Sequence, residues 1–292
     1  MSDANFHFYA DDTVIYCCAS TLAKATEYLQ NAFIVFQNTL LQLKLVLNAE
    51  KTKWMLFTNT RNRPKNIPSV VTLEGSDIEI VNSYKYLGIL IDDSLTFKPH
   101  VLYLVKKLRL KLGFYFRNKL CFSFNVKKKL VAATFLYVLD YGDLLYMHTS
   151  AQCLHKVDTA YHASLRFITN CKALTHHCEL YSRVGWPALA TRRLCHWYSF
   201  IYKAILGLLP YYLCVLIKQK SAGKYSLRSQ DCFMLTVPNA RTEIGRRAFV
   251  YSAPSAWNIL QKVLKLNDFI SLNAFKLKMK KIETDSLSCK CF

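Results

Sequence analysis

The 292-residue sequence contains few of the residues that interrupt regular structure, with eight glycines and seven prolines. This scarcity excludes collagen-like and linker-rich chains. Long hydrophobic runs are also missing: the longest stretch of membrane-like composition, residues 204–217, is too short to span a bilayer and contains Gly207 and Pro210. The first residues lack the basic and apolar regions of a signal peptide. We therefore expect a soluble protein without membrane contact, cytoplasmic or nuclear and not secreted.

Acidic residues are the other scarce class: 19 Asp and Glu stand against 39 Lys and Arg, which gives a formal net charge of +20. The imbalance is confined to one part of the chain. Residues 1–100 carry nine basic and ten acidic residues, whereas residues 101–292 carry 30 and nine. A folded, basic, aromatic-rich domain most often binds a polyanion, and nucleic acid is the commonest one. The alternative is that many of the lysines only solvate helix surfaces.

Apolar residues are plentiful enough for a core, at 52% hydrophobic and 14% aromatic, so a disordered chain is excluded. Residues 5–18 predict a tight hairpin with an Ala-Asp-Asp tip. Apolar residues spaced by three and four after Ser20 or Thr21 predict a capped helix. Further strands are expected at 53–58, 70–74, 78–81 and 85–91.

The pattern becomes helical after Pro99. One apolar stripe comprises Val101, Leu104, Val105, Leu108 and Leu112. Further helices are expected from Asn125 to Val138, over 151–170 and 188–206, and over 244–282 with a break at Ala253-Pro254, while residues 224–237 predict a small hairpin. Because the change of pattern coincides with the change of charge, we place a domain boundary near residues 95–100.

Two adjacent carboxylates, Asp11 and Asp12, occupy the tip of the predicted hairpin. They repel each other there, and a divalent cation is the usual compensation. Mg²⁺ prefers such oxygen ligands and takes its other ligands from water and phosphate, and two such ions catalyse in-line phosphoryl transfer. The alternative is a solvated Asp-Asp turn without a bound metal.

Several short segments match known sequence motifs. Residues 8–13, Phe-Tyr-Ala-Asp-Asp-Thr, resemble the Tyr-x-Asp-Asp hairpin of the reverse transcriptase family of non-LTR (LINE-type) retrotransposons. Residues 47–52, Leu-Asn-Ala-Glu-Lys-Thr, resemble its next palm motif, and residues 84–89, Tyr-Lys-Tyr-Leu-Gly-Ile, resemble its primer-grip hairpin. Residues 253–258, Ala-Pro-Ser-Ala-Trp-Asn, and the basic residues 275–278 resemble the carboxyl end of such elements.

The resemblance implies an α+β fold. It would consist of a partial reverse-transcriptase palm, in which an antiparallel sheet packs against a helix, followed by a mostly α-helical thumb and a carboxyl-terminal extension. The corresponding domains are residues 1–97 for the partial palm, 98–210 for the basic thumb-like region and 211–292 for the extension. The partial palm would contain both the Asp-Asp hairpin and the primer-grip-like hairpin.

The resemblance also implies a role for each matching residue. Asp11 would be the main metal ligand of the hairpin and Asp12 its partner. Lys51 would protonate or neutralise the departing pyrophosphate, unless it is an ordinary surface lysine in a turn. The primer end would be held by Tyr84, Tyr86, Leu87 and Gly88, unless they form an ordinary strand with aromatic packing. The phosphates would be contacted by Lys106, Lys107, Arg109, Lys111, Arg117, Lys119 and Lys127–Lys129.

In this family a third acidic residue of the site lies on a strand upstream of the hairpin. That strand and the fingers have no counterpart in the sequence, and Asp3 does not match the pattern. We therefore expect a fragment of an RNA-directed DNA polymerase that is catalytically incomplete alone and binds Mg²⁺ weakly or not at all. The implied partners are an RNA template, a DNA primer and deoxynucleotides, with no other small-molecule substrate.

Two alternatives to the incomplete polymerase stay open. One is a working polymerase, if the sequence is part of a longer protein or pairs with a second fragment. The other is a non-catalytic, basic nucleic-acid-binding module built on the second part of the chain.

Eleven cysteines without a framework spacing predict unpaired thiols in a reducing compartment. A loose Cys/His group comprises Cys171, His176, His177, Cys178, Cys195 and His196. Its spacing does not match a zinc motif, and neither does that of Cys289 and Cys291. The pair Asp92-Asp93 follows a predicted strand, where we expect it to stabilise a turn or a helix cap.

Overall fold

The computed structural model describes residues 4–58, 64, 66–220, 233–266 and 268–285, with side chains as far as Lys281. Asp3, Cys289, Cys291 and most of the hairpin expected at 224–237 lie outside these residues. The chain divides into two compact units, Met1–Tyr103 and Leu104–Phe292. The division falls inside a helix that begins at Lys98, where the sequence pattern also becomes helical.

The first unit contains short strands and one long helix before that division. In chain order its described elements are β1 (Ala4–Tyr9), β2 (Asp12–Cys17), α1 (Leu22–Gln42), β3 (Lys53–Trp54), β4 (Val70–Val71), β5 (Asp77–Ile80), β6 (Ser83–Tyr86), β7 (Ile89–Asp92) and the first part of α2 (Lys98–Arg117). The hairpin expected at 5–18 and the helix that follows it are confirmed. The strand expected at 53–58 has only two residues, and the segment expected as one strand at 85–91 contains a turn.

The strands of this unit form three small sheets. β1 pairs with β2, and β6 pairs with β7, both antiparallel. β5 lies between β3 and β4, antiparallel to β4 but parallel to β3. The parallel pair differs from the antiparallel arrangement expected, because the long connection from β3 through β4 returns the chain to β3 in the same direction.

Helix α1 packs against the β1–β2 hairpin and the β3–β5–β4 sheet through one apolar side. It begins at Leu22, and its N-cap is Thr21 rather than Ser20, since the Thr21 hydroxyl accepts a hydrogen bond from the Lys24 amide at 3.4 Å. Phe33 is buried together with Val70 of β4 and Ile78 of β5. The core of the first unit therefore lies between α1 and the β3–β5–β4 sheet.

Two glutamines of α1 also bind the outer edge of β4. The Gln30 side chain donates to the Val71 carbonyl at 2.9 Å and accepts from the Val71 amide at 2.8 Å. The Gln37 side-chain oxygen accepts from the Leu73 amide at 3.1 Å. The side-chain amides of the two glutamines make the hydrogen bonds that a neighbouring strand would otherwise make. The helix therefore covers an edge of the sheet that would otherwise be open.

The second unit is helical. After α2 its described elements are a 3₁₀ turn (Lys119–Cys121), α3 (Phe124–Val131), a π-helical turn (Ala132–Leu136), α4 (Tyr137–Asp140), α5 (Asp143–Tyr146), α6 (Ala151–Thr169), α7 (His177–Val184), α8 (Leu189–Ile205), α9 (Tyr211–Cys214), α10 (Glu243–Arg247), α11 (Phe249–Leu264) and α12 (Leu272–Asp285). The helices expected over 151–170 and 188–206 are confirmed.

Two expected helix boundaries are wrong. The helix expected to begin at Asn125 has its N-cap at Ser123, two residues earlier. The break expected at Ala253-Pro254 does not occur, because α11 continues through Pro254. Proline removes one backbone hydrogen bond there, but Ala253, Pro254 and Trp257 are all buried in the core, which offsets the loss.

The apolar stripe of α2 is confirmed, since each of its five residues is at most 7% exposed. A second core lies among α8, α11 and α12. There the Tyr202 ring stacks on Phe275 with centroids 4.2 Å apart, and its hydroxyl donates to the Ile270 carbonyl at 2.6 Å. None of the cysteines that the structure describes forms a disulfide. Within the described ranges, no helix has both the length and the apolar content needed to cross a bilayer.

Two of the lysines expected to contact phosphates instead stabilise helix ends. Lys127 is 2% exposed, and its ammonium donates to the side-chain oxygen of Asn170, the C-cap of α6, at 2.7 Å. The Lys128 ammonium donates to the carbonyl of Val184, the last residue of α7, at 2.7 Å. Helix carboxyl ends carry partial negative charge, so both cations are placed where they are favoured. The expectation is wrong for Lys127, which is buried, whereas Lys128 is half-buried with its ammonium on the Val184 carbonyl.

An ionic network joins α4 and α5 to α8. Arg192 binds both carboxylate oxygens of Asp140, at 2.8 and 2.5 Å. The His196 ring donates to the buried carboxylate of Asp143 at 2.6 Å. This hydrogen bond raises the pKa of His196 above the ordinary 6.5.

We predict that Lys127→Ala destabilises the protein by about 2–3 kcal/mol, because it removes a buried side chain and leaves the Asn170 amide oxygen unpaired. The adjacent Lys129 is exposed, so Lys129→Ala, which removes the same charge, should change the unfolding free energy by less than about 0.5 kcal/mol. Urea denaturation of both variants measures the difference. Equal effects would show that charge, and not the buried contact, is responsible.

We also predict that the contribution of His196 to stability falls as pH rises. Its raised pKa means that folding favours the protonated ring, so the stabilisation is complete below the ordinary pKa of 6.5 and is lost through the raised value. The pKa values of His100, His148 and His162 are lowered and act in the opposite direction. The measurement is therefore the difference in unfolding free energy between the wild type and His196→Gln, from about pH 6 to about pH 9. A difference that does not change with pH would contradict the prediction.

Candidate nucleic-acid and metal-binding site

The Asp-Asp pair lies at the end of the β1–β2 hairpin. Tyr9 and Asp12 form the last residue pair of the hairpin, so Ala10 and Asp11 make a two-residue loop. Ala10 has a positive φ of 50°, a conformation that suits the right-handed twist of a hairpin but strains a residue with a Cβ. Both aspartates are exposed.

The two faces of the hairpin have different neighbours. The rings of Phe6 and Phe8 stack at 6.2 Å, and both lie against Phe36 of α1, at 6.4 and 6.5 Å. Ile15, directly opposite Phe6, contacts the same core. Because side chains alternate along a strand, Asp12 lies on the other face, away from α1. The apolar residues therefore fix the hairpin on the helix and leave the carboxylate of Asp12 on the open side.

The ligand atoms at the hairpin are of the type that Mg²⁺ prefers, since both side chains are carboxylates. The set consists of two groups: no third Asp, Glu, His or Cys of the described residues joins them in a set of donor atoms that all lie within 4.8 Å of one another. Mg²⁺ bound through Asp11 and Asp12 would take its remaining ligands from water and phosphate.

Lys51 lies in a side-chain-stabilised turn. The Asn48 side-chain oxygen accepts from the Lys51 amide at 3.0 Å, and the Thr52 hydroxyl donates to the Asn48 carbonyl at 2.8 Å. Lys51 is exposed. The Tyr84 hydroxyl donates to the Lys51 carbonyl at 3.4 Å, so the fold brings together two segments that are 33 residues apart in the chain and that the sequence singled out separately.

The segment that resembles the primer grip is a hairpin of β6 and β7. Its loop consists of Leu87 and Gly88, with φ of 46° and 83°. A two-residue loop with both φ values positive is a type I′ turn, which glycine adopts without strain and leucine does not. Tyr84 is 41% exposed, whereas the hydroxyl of Tyr86 is buried and has no hydrogen-bond partner among the described residues. Tyr84 is therefore accessible to a ligand, whereas the polar end of Tyr86 is not.

The carboxyl end of β7 is fixed to the start of α2. The Asp92 carboxylate accepts from the Thr96 amide at 3.0 Å, the Thr96 hydroxyl at 2.9 Å and the Phe97 amide at 2.6 Å. His100 of α2 accepts from the Leu90 amide at 3.3 Å. The turn-stabilising role expected for the Asp92-Asp93 pair is confirmed for Asp92. The hairpin is thereby fixed to the first turn of α2.

Helix α2 carries six cations and no acidic residue. Lys106, Lys107 and Arg109 are exposed and Lys111 is half-buried. Within the described residues, none of these four lies within 4.0 Å of a carboxylate. They are positioned in the second unit, whereas Asp11, Asp12, Lys51 and the β6–β7 hairpin belong to the first.

Exposed aromatic residues share the cationic side of α2, and the sequence analysis missed them. Phe114 is 52% exposed and lies one turn from Leu110, itself 71% exposed, on the stripe that contains Lys107. Tyr103 on the same stripe is contacted by the ammonium of Lys85, 5.4 Å from the ring centre. A helical projection of the sequence would have found this stripe, since the spacing is three and four residues.

The loose Cys/His group separates into parts. The donor atoms of His176, His177 and Cys178 lie within 4.8 Å of one another. Cys171 instead points its thiol toward the Thr169 carbonyl at 3.9 Å, and His196 binds Asp143. Cys195 packs against the α8–α11–α12 core. Of the six residues of this group, His176, His177 and Cys178 are therefore the ones whose donor atoms the structure brings together.

Comparison with curated proteins finds similarity to the RNA-directed DNA polymerase from mobile element jockey. The match to the Drosophila funebris protein is 32% identical over 142 residues, and covers 46% of this chain and 15% of that protein. The match to the Drosophila melanogaster protein is 33% identical over 142 residues, with the same coverage. This chain therefore corresponds to a small part of the length of the relatives it matches. No protein-family model and no solved structure matches the chain.

We predict that Leu87→Asn stabilises the protein by about 1 kcal/mol, because asparagine tolerates the positive φ of a type I′ turn better than leucine does. Leu90→Asn is the matched control, since Leu90 lies on β7 of the same hairpin with an ordinary φ and is half-buried. The control should lower stability. Urea denaturation midpoints distinguish the two, and a loss of stability in Leu87→Asn would show that the leucine side chain contributes more by packing than it costs in backbone strain.

Proposed function

We propose that this chain, a relative of the non-LTR (LINE-type) retrotransposon reverse transcriptases, forms the part of an RNA-directed DNA polymerase that carries the Asp-Asp hairpin of the palm and an adjoining thumb. The observation that carries the proposal is the Tyr-Ala-Asp-Asp loop, held on α1 by one apolar face with Asp12 on the other. In this assignment residues 1–97 are the palm part, residues 98–210 the thumb and residues 211–292 the carboxyl-terminal extension.

Each candidate residue has a role in this proposal. Asp11 and Asp12 hold Mg²⁺, which would supply charge compensation for the triphosphate. The exposed ammonium of Lys51 neutralises or protonates the departing pyrophosphate. Tyr84 and the Leu87–Gly88 turn position the primer end, and the hydrogen bond between Tyr84 and the Lys51 carbonyl keeps these two functions at a fixed spacing.

The buried hydroxyl of Tyr86 gives that residue a different role from Tyr84. The hydroxyl of Tyr86 is shielded from solvent, whereas Tyr84 is 41% exposed and can contact a nucleic acid directly. We therefore assign Tyr86 to positioning and Tyr84 to binding.

The four cations Lys106, Lys107, Arg109 and Lys111 of α2 bind the sugar-phosphate backbone. They have no carboxylate partners among the described residues, so they are available for phosphates. Contacts of this kind are independent of sequence and weaken steeply with salt. Phe114 adds an aromatic surface on which a base can stack.

The chain is expected to bind a primer–template and to be catalytically incomplete by itself. Two-metal catalysis needs ligands that converge from more than one strand, and the described residues bring two carboxylates from a single hairpin. A further carboxylate would come from another part of the polymerase.

The test uses the full 292-residue chain with an RNA template annealed to a DNA primer. In a binding assay, Lys106→Ala/Arg109→Ala should lower the affinity and reduce the dependence of log K on log salt by about 2, whereas Lys172→Ala/Lys262→Ala, which removes two exposed lysines of other elements, should leave the slope unchanged. Equal slopes in the two double variants would exclude α2 as the binding surface.

Primer extension with Mg²⁺ and deoxynucleotides completes the test. Binding without extension is expected. If the wild-type chain extends the primer and Asp11→Ala does not, the catalytic role of the aspartates is supported. The expectation that the chain is catalytically incomplete is then refuted. Extension that persists in Asp11→Ala, or no binding at all, would refute the proposed function. If the α2 double variant binds the primer–template as the wild type does, α2 is excluded as the binding surface. The role of the Asp-Asp hairpin is then tested by the primer-extension assay alone.

A further inference from the structure

The start of α7 carries three possible metal ligands whose chemistry differs from that of the two carboxylates at the hairpin. His176 is the N-cap of α7, and His177 and Cys178 are its first two residues. Their donor atoms lie within 4.8 Å of one another. Imidazole nitrogen and thiolate sulfur are ligands for zinc and related d-block ions, and not for Mg²⁺ or Ca²⁺.

Contacts with α6 hold this segment in place. The ring of His177 stacks on that of His162 with centroids 5.3 Å apart and an angle of 11° between the planes. His162 is hydrogen-bonded to the Tyr181 hydroxyl at 2.6 Å. On the other side, Arg166 donates to the Thr175 carbonyl at 3.3 Å. The three donors are therefore presented by a loop and a helix start that α6 anchors from both sides, as supporting contacts do in metal sites.

The helix end also suits a thiolate ligand. A metal-bound cysteine carries negative charge, and negative charge is favoured at the amino end of a helix. With Zn²⁺ and one thiolate, the site would have a net charge of +1. The nearby guanidinium of Arg166 opposes a cation, and the negative charge of the thiolate offsets part of this repulsion.

A second group of possible metal ligands in the same unit differs from the α7 group in its internal contacts. Asp140, Asp143 and His196 also have donor atoms within 4.8 Å of one another. Arg192 occupies both oxygens of Asp140, and His196 is bonded to Asp143. These charges compensate each other, so a metal would have to displace an ion pair. In the group at α7, Nδ1 of His176 accepts a hydrogen bond from the Cys178 amide at 3.4 Å, so a metal would bind His176 through the other ring nitrogen, Nε2, or displace this contact.

We propose that His176, His177 and Cys178 bind one Zn²⁺ ion, with water as the fourth ligand. The ion would join the loop after α6 to the first turn of α7. The proposal shares no residue with the polymerase site, so its failure would leave the proposed function unaffected, and the reverse also holds.

The test measures zinc stoichiometry of the full chain, prepared metal-free under reducing conditions, by competition with a chromophoric chelator. One tightly bound Zn²⁺ is expected in the wild type. It should be lost in Cys178→Ser and in His176→Gln, and retained in Cys121→Ser and His155→Gln, which replace an exposed cysteine and an exposed histidine outside the set. His176 is exposed, so its replacement does not depend on repacking a core, and circular dichroism of the metal-free variants checks that each is folded.

Co²⁺ provides the second readout, because a thiolate ligand gives a charge-transfer absorption that nitrogen and oxygen ligands do not. This band should appear in the wild type and in Cys121→Ser, and be absent from Cys178→Ser. The variant Cys289→Ser/Cys291→Ser should keep both the band and the stoichiometry. No tight zinc binding in the wild type, equal binding in Cys178→Ser and Cys121→Ser, or loss of binding only in the Cys289/Cys291 variant would overturn the proposal.

Discussion

The alternation of side chains along the β1–β2 hairpin is the constraint on which the candidate polymerase site depends. Phe6 and Phe8 face α1, and Asp12 faces away from it. A shift of one residue in the pairing would reverse both faces, bringing the carboxylate against the ring of Phe36 and the two phenylalanines into water. The aromatic residues before the Asp-Asp pair therefore fix the register that keeps the carboxylate accessible.

Local patterns were sufficient to predict part of this arrangement. The β1–β2 hairpin, the start of α1 after Thr21 and the apolar stripe of α2 follow from turn chemistry, capping and helical periodicity, each of which acts over a few neighbouring residues. The motif around Asp11 was recognisable for the same reason. The assignment of the units as palm, thumb and extension rests on family resemblance and stays a prediction.

Other features depend on partners far away in the chain, and local patterns do not contain them. Gln30 and Gln37 look like ordinary polar residues of a helix, yet they bind the edge of β4, 41 and 36 residues further on. Pro254 would end an isolated helix, but burial around Trp257 carries α11 through it. The short β3 is another example, since the sequence predicts a strand over 53–58 but only Lys53 and Trp54 pair with β5.

Basic residues of this protein fall into two groups that composition alone cannot separate. Lys127 and Lys128 are adjacent to Lys129 and look like part of one phosphate-binding cluster, but their ammonium groups bind the carboxyl ends of two different helices. The cations on α2 have no such partners within the described residues. Net charge therefore overstates the surface that a polyanion can contact, and only the fold shows which lysines remain available.

The methyl group of Ala10 has a consequence for the neighbouring carboxylates. Glycine in the same loop would adopt the positive φ more easily, but it would also explore many other backbone conformations. Alanine restricts that exploration, so less configurational entropy is lost when Asp11 and Asp12 become ordered around a ligand. In the Tyr-Ala-Asp-Asp loop, some backbone strain at Ala10 thus accompanies preorganisation of the two acidic side chains.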